Sequence, residues 1–264
     1  MKLALFVTCL TDAFYPRTGI ATVKVLEHLG CDVTFPQAQT CCGQPMFNNG
    51  FHHEARKLAR HMIDVFEDAA CVVTPSGSCA AMVREHYAEL LKDDPAHAER
   101  AEALAGKTYE LVEFLVKVLK VDLRKLGVRW PGKVTYHYSC HLRGLGITDE
   151  AGQLMRQIDG LEYVPLPKAE QCCGFGGTFA MKYPQISGEI VRDKVGCIEA
   201  TGASTCVSND AGCTMNIAGA CRRHEREQGG DGDQKDAGNG NGVQFKSLAE
   251  IIAEGLGLMK GDET

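Results

Sequence analysis

The sequence has no excess of positive charge, no long apolar run and no C-x-x-C pair, and each absence removes a class of protein. Lys and Arg total 28 against 34 Asp and Glu, a net charge of −6 with a sequence pI near 5.9. A nucleic-acid binder normally carries a basic face, so that class is excluded. No apolar stretch approaches the roughly 18 residues that a membrane helix needs. The N-terminal run Met1-Lys2-Leu3-Ala4-Leu5-Phe6-Val7-Thr8-Cys9-Leu10 is short, Asp12 lies just beyond it, and no small-residue cleavage site appears. It reads as a buried first strand rather than an export signal. No G-x-G-x-x-G succeeds an expected strand, so the dinucleotide fingerprint is missing as well.

Cysteine, by contrast, is abundant. Thirteen is an odd count, and without an export signal a secreted disulfide framework is a poor fit. The expected compartment is cytoplasmic, where so many reduced thiols argue for metal binding or redox chemistry. With 264 residues and 44% hydrophobic content, the chain is long enough for one large domain or two small ones.

The cysteines fall in an internal repeat. Between Cys9 and the Cys41-Cys42-Gly43 motif lie 31 residues, and the same number separates Cys140 from Cys172-Cys173-Gly174. Each half then offers a small-residue turn into one more cysteine, Ser76-Gly77-Ser78-Cys79 and Asp210-Ala211-Gly212-Cys213, after gaps of 36 and 39 residues. Both halves close on similar amphipathic stretches, Leu111-Val112-Glu113-Phe114-Leu115 and Leu248-Ala249-Glu250-Ile251-Ile252. The expected organisation is a tandem duplication of units 1–128 and 129–264, with Trp130-Pro131-Gly132 near the join. Residues 229–242 are rich in glycine and polar residues and read as a flexible insertion in the second unit.

Within a half the pattern alternates strand and helix. Val23 and Leu26 sit on a helical stretch before a short strand at Cys31–Phe35. Leu58, Ala59, Met62, Ile63 and Phe66 keep helical spacing, and Cys71–Thr74 reads as a buried strand ended by Pro75. The second half repeats this with strands at Val134–Tyr138, Tyr163–Leu166 and Thr205–Ser208 and a helix near Ile186–Ile198. The expected fold class is α/β, two tandem similar units, each with a mainly parallel sheet flanked by helices.

On that architecture Cys9, Cys79, Cys140 and Cys213 all lie where a strand gives way to a helix, the end of an open α/β sheet at which ligands bind. Helix N-termini there lower thiolate pKa and stabilise an anionic centre. Gly43 in one half, and Gly174, Gly176 and Gly177 in the other, let backbone N–H groups approach a sulfur closely. Each half therefore supplies four converging thiolates, Cys9, Cys41, Cys42, Cys79 and Cys140, Cys172, Cys173, Cys213, the number a [4Fe–4S] cluster takes, up to one per half. Structural zinc and a redox disulfide between neighbouring cysteines are the alternatives. Zinc sites ordinarily use C-x₂₋₄-C knuckles, which are missing here.

The motifs Thr40-Cys41-Cys42-Gly43-Gln44-Pro45, Thr74-Pro75-Ser76-Gly77-Ser78-Cys79, Cys140-His141-Leu142 and Cys172-Cys173-Gly174-Phe175-Gly176-Gly177 resemble the tandem CCG cysteine-rich domain. That family includes the B subunit of heterodisulfide reductase, glycolate oxidase iron–sulfur subunits and short stand-alone lactate-utilisation proteins, the members most similar to this chain. The resemblance implies an iron–sulfur electron-transfer subunit of an oxidoreductase complex that oxidises L-lactate to pyruvate. It also implies two partners, a ferredoxin-like iron–sulfur subunit and a further lactate-utilisation subunit. A thiol–disulfide reductase subunit of the heterodisulfide type and a zinc-bound scaffold are the rival functions. In the heterodisulfide form each half ends in C-x-x-C and holds a noncubane cluster through five cysteines. Here Ser76 and Asp210 stand at the first of those positions, so four thiolates suit a conventional cubane better. Asp210 is a possible oxygen ligand, whereas Ser76 suits a helix cap.

His141 and Arg143 are the candidate catalytic residues. A histidine beside a cluster can move a proton, and an arginine can bind a carboxylate. His137, three residues before Cys140, could likewise hydrogen-bond a cluster sulfur or move a proton, but a helix cap or an exposed residue is the reading preferred for it. Cys31, Cys71 and Cys206 read as core thiols on or beside strands, and Cys197 and Cys221 sit in helical stretches without a spaced partner.

Overall fold

A computed structural model describes residues 1–227 and 242–260. Most of the expected insertion, 229–241, lies outside the described residues. Two parallel four-stranded sheets form the framework. The first comprises β1 (Lys2–Leu5), β2 (Asp32–Thr34), β3 (Val72–Thr74) and β4 (Thr108–Glu110), in the order β2-β1-β3-β4. The second comprises β5 (Arg129–Tyr136), β6 (Asp159–Tyr163), β7 (Thr205–Val207) and β8 (Gln244–Lys246), in the order β6-β5-β7-β8. The orders are the same, which is what a duplicated sequence requires.

Register is set by the central strands. Ala4 of β1 pairs with Thr34 on one side and Val72 on the other. Val134 of β5 sits likewise between Tyr163 and Thr205. The C-terminal residues of both central strands, Leu3–Leu5 and Val134–Tyr136, are buried because helices flank the sheets, as parallel sheets demand. The connection leaves β1 for β2 and then crosses back to β3, so in each sheet the chain changes direction between the two central strands. Ligands bind outside the carboxyl ends of strands at such a crevice.

Helices form where the apolar period is 3.6 residues. His52–Val65 buries Ala55, Ala59, Met62 and Ile63, leaving the histidines His52 and His53 at its exposed start. Pro184–Glu199 buries Val191, Val195 and Ile198 in the same way, with Pro184 in its first turn, where its missing N–H costs nothing. The first core gathers Phe6, Met62, Ile63, Phe66, Met82, Tyr87 and Leu91. The second gathers Val195, Ile198, Cys206 and Ile217. Each such side chain contributes roughly 1.5–3 kcal/mol by leaving water.

Three expectations change. Each sheet has a fourth strand, β4 or β8, too short at three residues to show alternation in the sequence. The strand expected at Tyr163–Leu166 lies earlier, at Asp159–Tyr163, because it pairs with a β5 that itself begins upstream at Arg129. Trp130-Pro131-Gly132 is thus inside β5, where the register shifts between Arg129 and Gly132.

Met1–Val121 and His141–Glu150 form one compact unit, and Asp122–Cys140 with the described part of Ala151–Thr264 forms the other. The sequence expectation is a single cut at 128/129. The grouping is instead discontinuous, because the short helix His141–Gly144 packs on Gly77–Ala81 of the first unit. The two closing helices come after β4 and β8. Glu110 caps one by accepting from the N–H groups of Val112 and Glu113. Ser247 and Glu250 form a reciprocal capping box on the other.

Candidate metal centres

In the first unit three loops at the carboxyl ends of β1, β2 and β3 bring four cysteines together. Thr8 accepts a hydrogen bond from the Thr11 N–H at 3.4 Å and starts the helix on which Cys9 is the first residue. After β2, the Gln39 side chain reaches back to β1. Its Oε1 accepts from Val7 N–H at 2.8 Å and its Nε2 donates to the Leu5 carbonyl at 3.2 Å, which ties Cys41 to the β1 end. After β3, Ser76 Oγ accepts from the Cys79 N–H at 3.4 Å and begins the helix Gly77–Ala81.

The four sulfurs form a chain of contacts. Cys9 bonds to Cys41, Cys41 to Cys42, and Cys42 Sγ lies 3.4 Å from Cys79 Sγ. The Gly43 N–H donates to Cys41 Sγ at 3.5 Å, and Gly43 has the left-handed φ of +88° that this approach requires. The Cys42 and Cys9 thiols and the Gly43 N–H all point hydrogens at Cys41, which overcomes its partial burial and lowers its pKa to about 3. Cys9 and Cys42 are pushed up, first by their hydrogen bonds to Cys41, then by burial and neighbouring sulfur charge.

The second unit repeats the arrangement. Cys140 bonds to Cys172, Cys172 to Cys173, and Cys173 Sγ lies 3.2 Å from Cys213 Sγ. The Gly174 N–H donates to Cys172 Sγ at 3.3 Å from a backbone at φ +83°. Cys172 is lowered to about 2 by the Cys140 and Cys173 thiols and the Gly174 N–H, while Cys140 and Cys173 are raised. Each half thus holds one ready thiolate among thiols whose protons must leave when a cation binds.

All eight cysteines expected as ligands fall in these two sets. Cys42, Cys79, Cys173 and Cys213 are buried, whereas Cys9 and Cys172 are exposed. Gly176 and Gly177, at φ +51° and +62°, turn the chain into the helix Phe179–Lys182. Asp210 is buried, and its Oδ1 stands 3.5 Å from the Cys213 N–H, the place Ser76 takes in the first half. The other five cysteines are also buried, and burial raises the thiols of Cys71 to about 11 and Cys221 to about 12.

The candidate catalytic residues separate. His141 groups with the first unit, where its Nε2 lies 3.3 Å from Gln44 Nε2, and Gln44 in turn donates to the Ser78 carbonyl at 3.1 Å. Arg143 is exposed. His137 overturns its expectation: it is 1% exposed and caps no helix. It directly follows β5, held by its N–H donating to the Val207 carbonyl at 2.8 Å, and this bond to β7 turns it inward. Neither ring nitrogen has a hydrogen-bond partner.

Sequence reasoning also missed two supports. The Tyr87 hydroxyl donates to the Cys42 carbonyl at 2.8 Å, and Asn216 Nδ2 donates to the Cys173 carbonyl at 2.9 Å. Each comes from a helical stretch beyond the last cysteine of its sulfur set and fixes the buried member of the Cys-Cys pair. Their different side chains hide the shared role from any spacing pattern.

The donor sets fit a metal centre: four sulfurs per half, at the crevice of a parallel sheet, with backbone N–H groups directed at sulfur. A single tetrahedral zinc, with Zn–S about 2.3 Å, would hold all four sulfurs within about 3.8 Å of each other. Among the described residues no three thiols of either half lie mutually within 4.8 Å. The four sulfurs of each half stand instead as a chain of contacts, with one close pair in each, Cys42–Cys79 at 3.4 Å and Cys173–Cys213 at 3.2 Å.

Fold and sulfur sets define a protein of two tandem cysteine-rich domains, and the family model described as "CCG: Cysteine-rich domain" matches residues 3–84 and 134–218. The chain is 50% identical over 253 residues to lactate utilization protein A of Shouchella clausii, covering 96% of this chain and 98% of that protein. It is 51% identical over 253 residues to the protein of that name from Halalkalibacterium halodurans, and 48% over 227 residues to that of Bacillus subtilis. These cover 96% and 86% of this chain, and 96% and 94% of the relatives. The chain belongs to the lactate utilization protein A family. A hypothetical protein from Helicobacter pylori shares the fold, with a TM-score of 0.62 at 12% identity, covering 97% of this chain, which spans 49% of that protein.

Proposed function

We propose that this chain is an iron–sulfur electron-transfer subunit of a lactate-oxidising system, each half holding one cluster through its four thiolates. The observation that carries this reading is the repeated sulfur chain, Cys9–Cys41–Cys42–Cys79 and Cys140–Cys172–Cys173–Cys213, with the same N–H···S contact in each half. The relatives' name supplies the lactate link. A cluster bound there would carry single electrons. The protein's part is to supply thiolates, starting from Cys41 and Cys172, and to direct the Gly43 and Gly174 N–H groups at sulfur. Such N–H donors raise the reduction potential of a sulfur-ligated centre.

The partners, as the family resemblance implies, would be a ferredoxin-like iron–sulfur subunit and a further lactate-utilisation subunit, to share the two electrons that lactate oxidation releases. Among the described residues no helix is long and apolar enough to cross a membrane. The chain would therefore meet its partners without a membrane-spanning helix in these residues.

The test is selective cysteine replacement in anaerobically purified protein. Cys172→Ser should lose about half of the bound iron, and Cys31→Ser should lose none, since Cys31 lies in neither sulfur set. Equal losses from both variants would show the ligand sorting to be wrong. Turnover of lactate by this chain alone would refute the role as a subunit.

A further inference from the structure

The two halves are not equivalent behind their sulfurs. Aligning Cys41-Cys42-Gly43 with Cys172-Cys173-Gly174 places Phe6 opposite His137, with the same spacing before Cys9 and Cys140. Phe6 is fully buried and packs on the Phe66 ring, with centroids 5.7 Å apart. His137 is as deeply buried but carries two ring nitrogens, and neither meets a hydrogen-bond partner. An imidazole buried that way leaves two ring nitrogens stripped of water with nothing in exchange. The natural account is a partner that binds there.

Geometry says which partner. A ring nitrogen of His137, Cys173 Sγ and Cys213 Sγ lie mutually within 4.8 Å. Among the described residues no other trio of histidine, cysteine or carboxylate donors meets that condition. Imidazole and thiolate are the two side chains that iron and zinc most readily share. The surrounding floor is polar as well. Lys194 is fully buried and donates to the Lys168 carbonyl at 3.1 Å, and Asp210 is 5% exposed. The glycines of the two CCG motifs face Ala55 and Leu58 in one half and Ser187 and Ile190 in the other, which puts Met62 opposite Lys194. Ser76 stands opposite Asp210.

We propose that His137 is a metal ligand of the second half, so that the chain carries two unlike centres. The first is ligated by thiolates alone. The second is ligated by thiolates and one imidazole. This rests on the reading of the cysteine sets as metal sites. A neutral imidazole added to the thiolates leaves the ligand charge of the second centre unchanged and gives it a nitrogen donor that the first centre lacks.

The experiment uses the full chain, purified anaerobically and reduced with dithionite, in natural-abundance form and labelled with ¹⁵N-histidine. Pulsed electron paramagnetic resonance should show a strong nitrogen coupling that changes isotope with the label. It should vanish in His137→Phe, the residue type the first half carries, while at least half of the iron remains. His137→Gln should lose it too, and the wild-type labelling result needs no variant to fold. Only weak coupling, of the kind a nearby N–H gives, or a strong one that survives both variants, would overturn the assignment. If the protein carried neither iron nor sulfide, the cluster reading would fail by itself. Cobalt(II) added alone to the thiol-reduced chain then decides the ligand. Visible bands that shift between wild type and His137→Phe support it, and superimposable spectra overturn it.

Discussion

Replacing Gly174 by alanine should be far more damaging than replacing Gly43, although both glycines come directly after a Cys-Cys pair and donate to a sulfur. Both have left-handed backbone, at φ +83° and +88°, which costs an L-residue about 1–2 kcal/mol. The surroundings differ. A Cβ on Gly174 would stand 2.9 Å from the Ser187 carbonyl oxygen and 3.2 Å from Ile190 Cβ. The oxygen belongs to the helix Pro184–Glu199, whose backbone cannot move by itself. Such overpacking adds about 1–3 kcal/mol. At Gly43 the nearest atoms are Leu58 Cβ at 3.4 Å and the Ala55 oxygen at 3.5 Å, ordinary contacts. Gly174→Ala should therefore cost about 2–5 kcal/mol and Gly43→Ala about 1–2 kcal/mol. At roughly 3 °C per kcal/mol, thermal unfolding of the second unit should fall by about 6–15 °C in Gly174→Ala, and that of the first unit by about 3–6 °C in Gly43→Ala. Denaturation followed by circular dichroism on both variants is the assay. Equal losses would refute the claim that the helix carbonyl, rather than backbone conformation, sets the requirement for glycine at 174.

Buried polar groups give three further outcomes. Glu254→Ala should destabilise the second unit by about 3–5 kcal/mol in urea unfolding, because it removes the carboxylate 2.9 Å from the buried ammonium of Lys246 and leaves the Trp130 N–H without its acceptor. Replacing Lys246 and Glu254 together by methionine and leucine should recover most of that loss. Tyr87→Phe should cost about 1–2 kcal/mol by leaving the Cys42 carbonyl without its donor, with no change in the far-ultraviolet spectrum. In the metal-free protein His137 has its pKa lowered to about 4 by burial and then by Lys194, with Asp210 and Cys172 pulling the other way. An unfolded histidine takes up its proton near pH 6.5, so stability is full above that value. It declines by up to about 3 kcal/mol as pH falls to 4. His137→Phe should flatten the urea midpoint over this window, and an unchanged slope would show that the imidazole is not buried neutral.

Much of this was legible in the sequence because it was written twice. The spacing of Cys9, Cys41, Cys42 and Cys79 is repeated at Cys140, Cys172, Cys173 and Cys213, and shared spacing survives where local propensity is ambiguous. The α/β alternation was equally plain, since His52–Val65 and Pro184–Glu199 keep a helical apolar period. Features that depend on contact across the sheet failed to show. β4 and β8 are three residues each and acquire strand character only by pairing with β3 and β7. His137 sits just past a strand and reads as any histidine near a turn. Only its pairing beside Val207 turns it inward, onto Cys173 and Cys213. Tyr87 and Asn216 serve equivalent carbonyls with unrelated side chains, which no pattern search aligns. The duplication that exposed the sulfur sets also concealed the asymmetry, because a repeat draws the eye to shared residues and away from the position where one half has phenylalanine and the other histidine.

The claim that two sulfur sets hold iron–sulfur centres is tested most directly by the metal and acid-labile sulfide content of the anaerobically purified chain. The account predicts a brown protein with iron and sulfide in equal amounts, distributed over two centres. A colourless protein with zinc and no sulfide would contradict it.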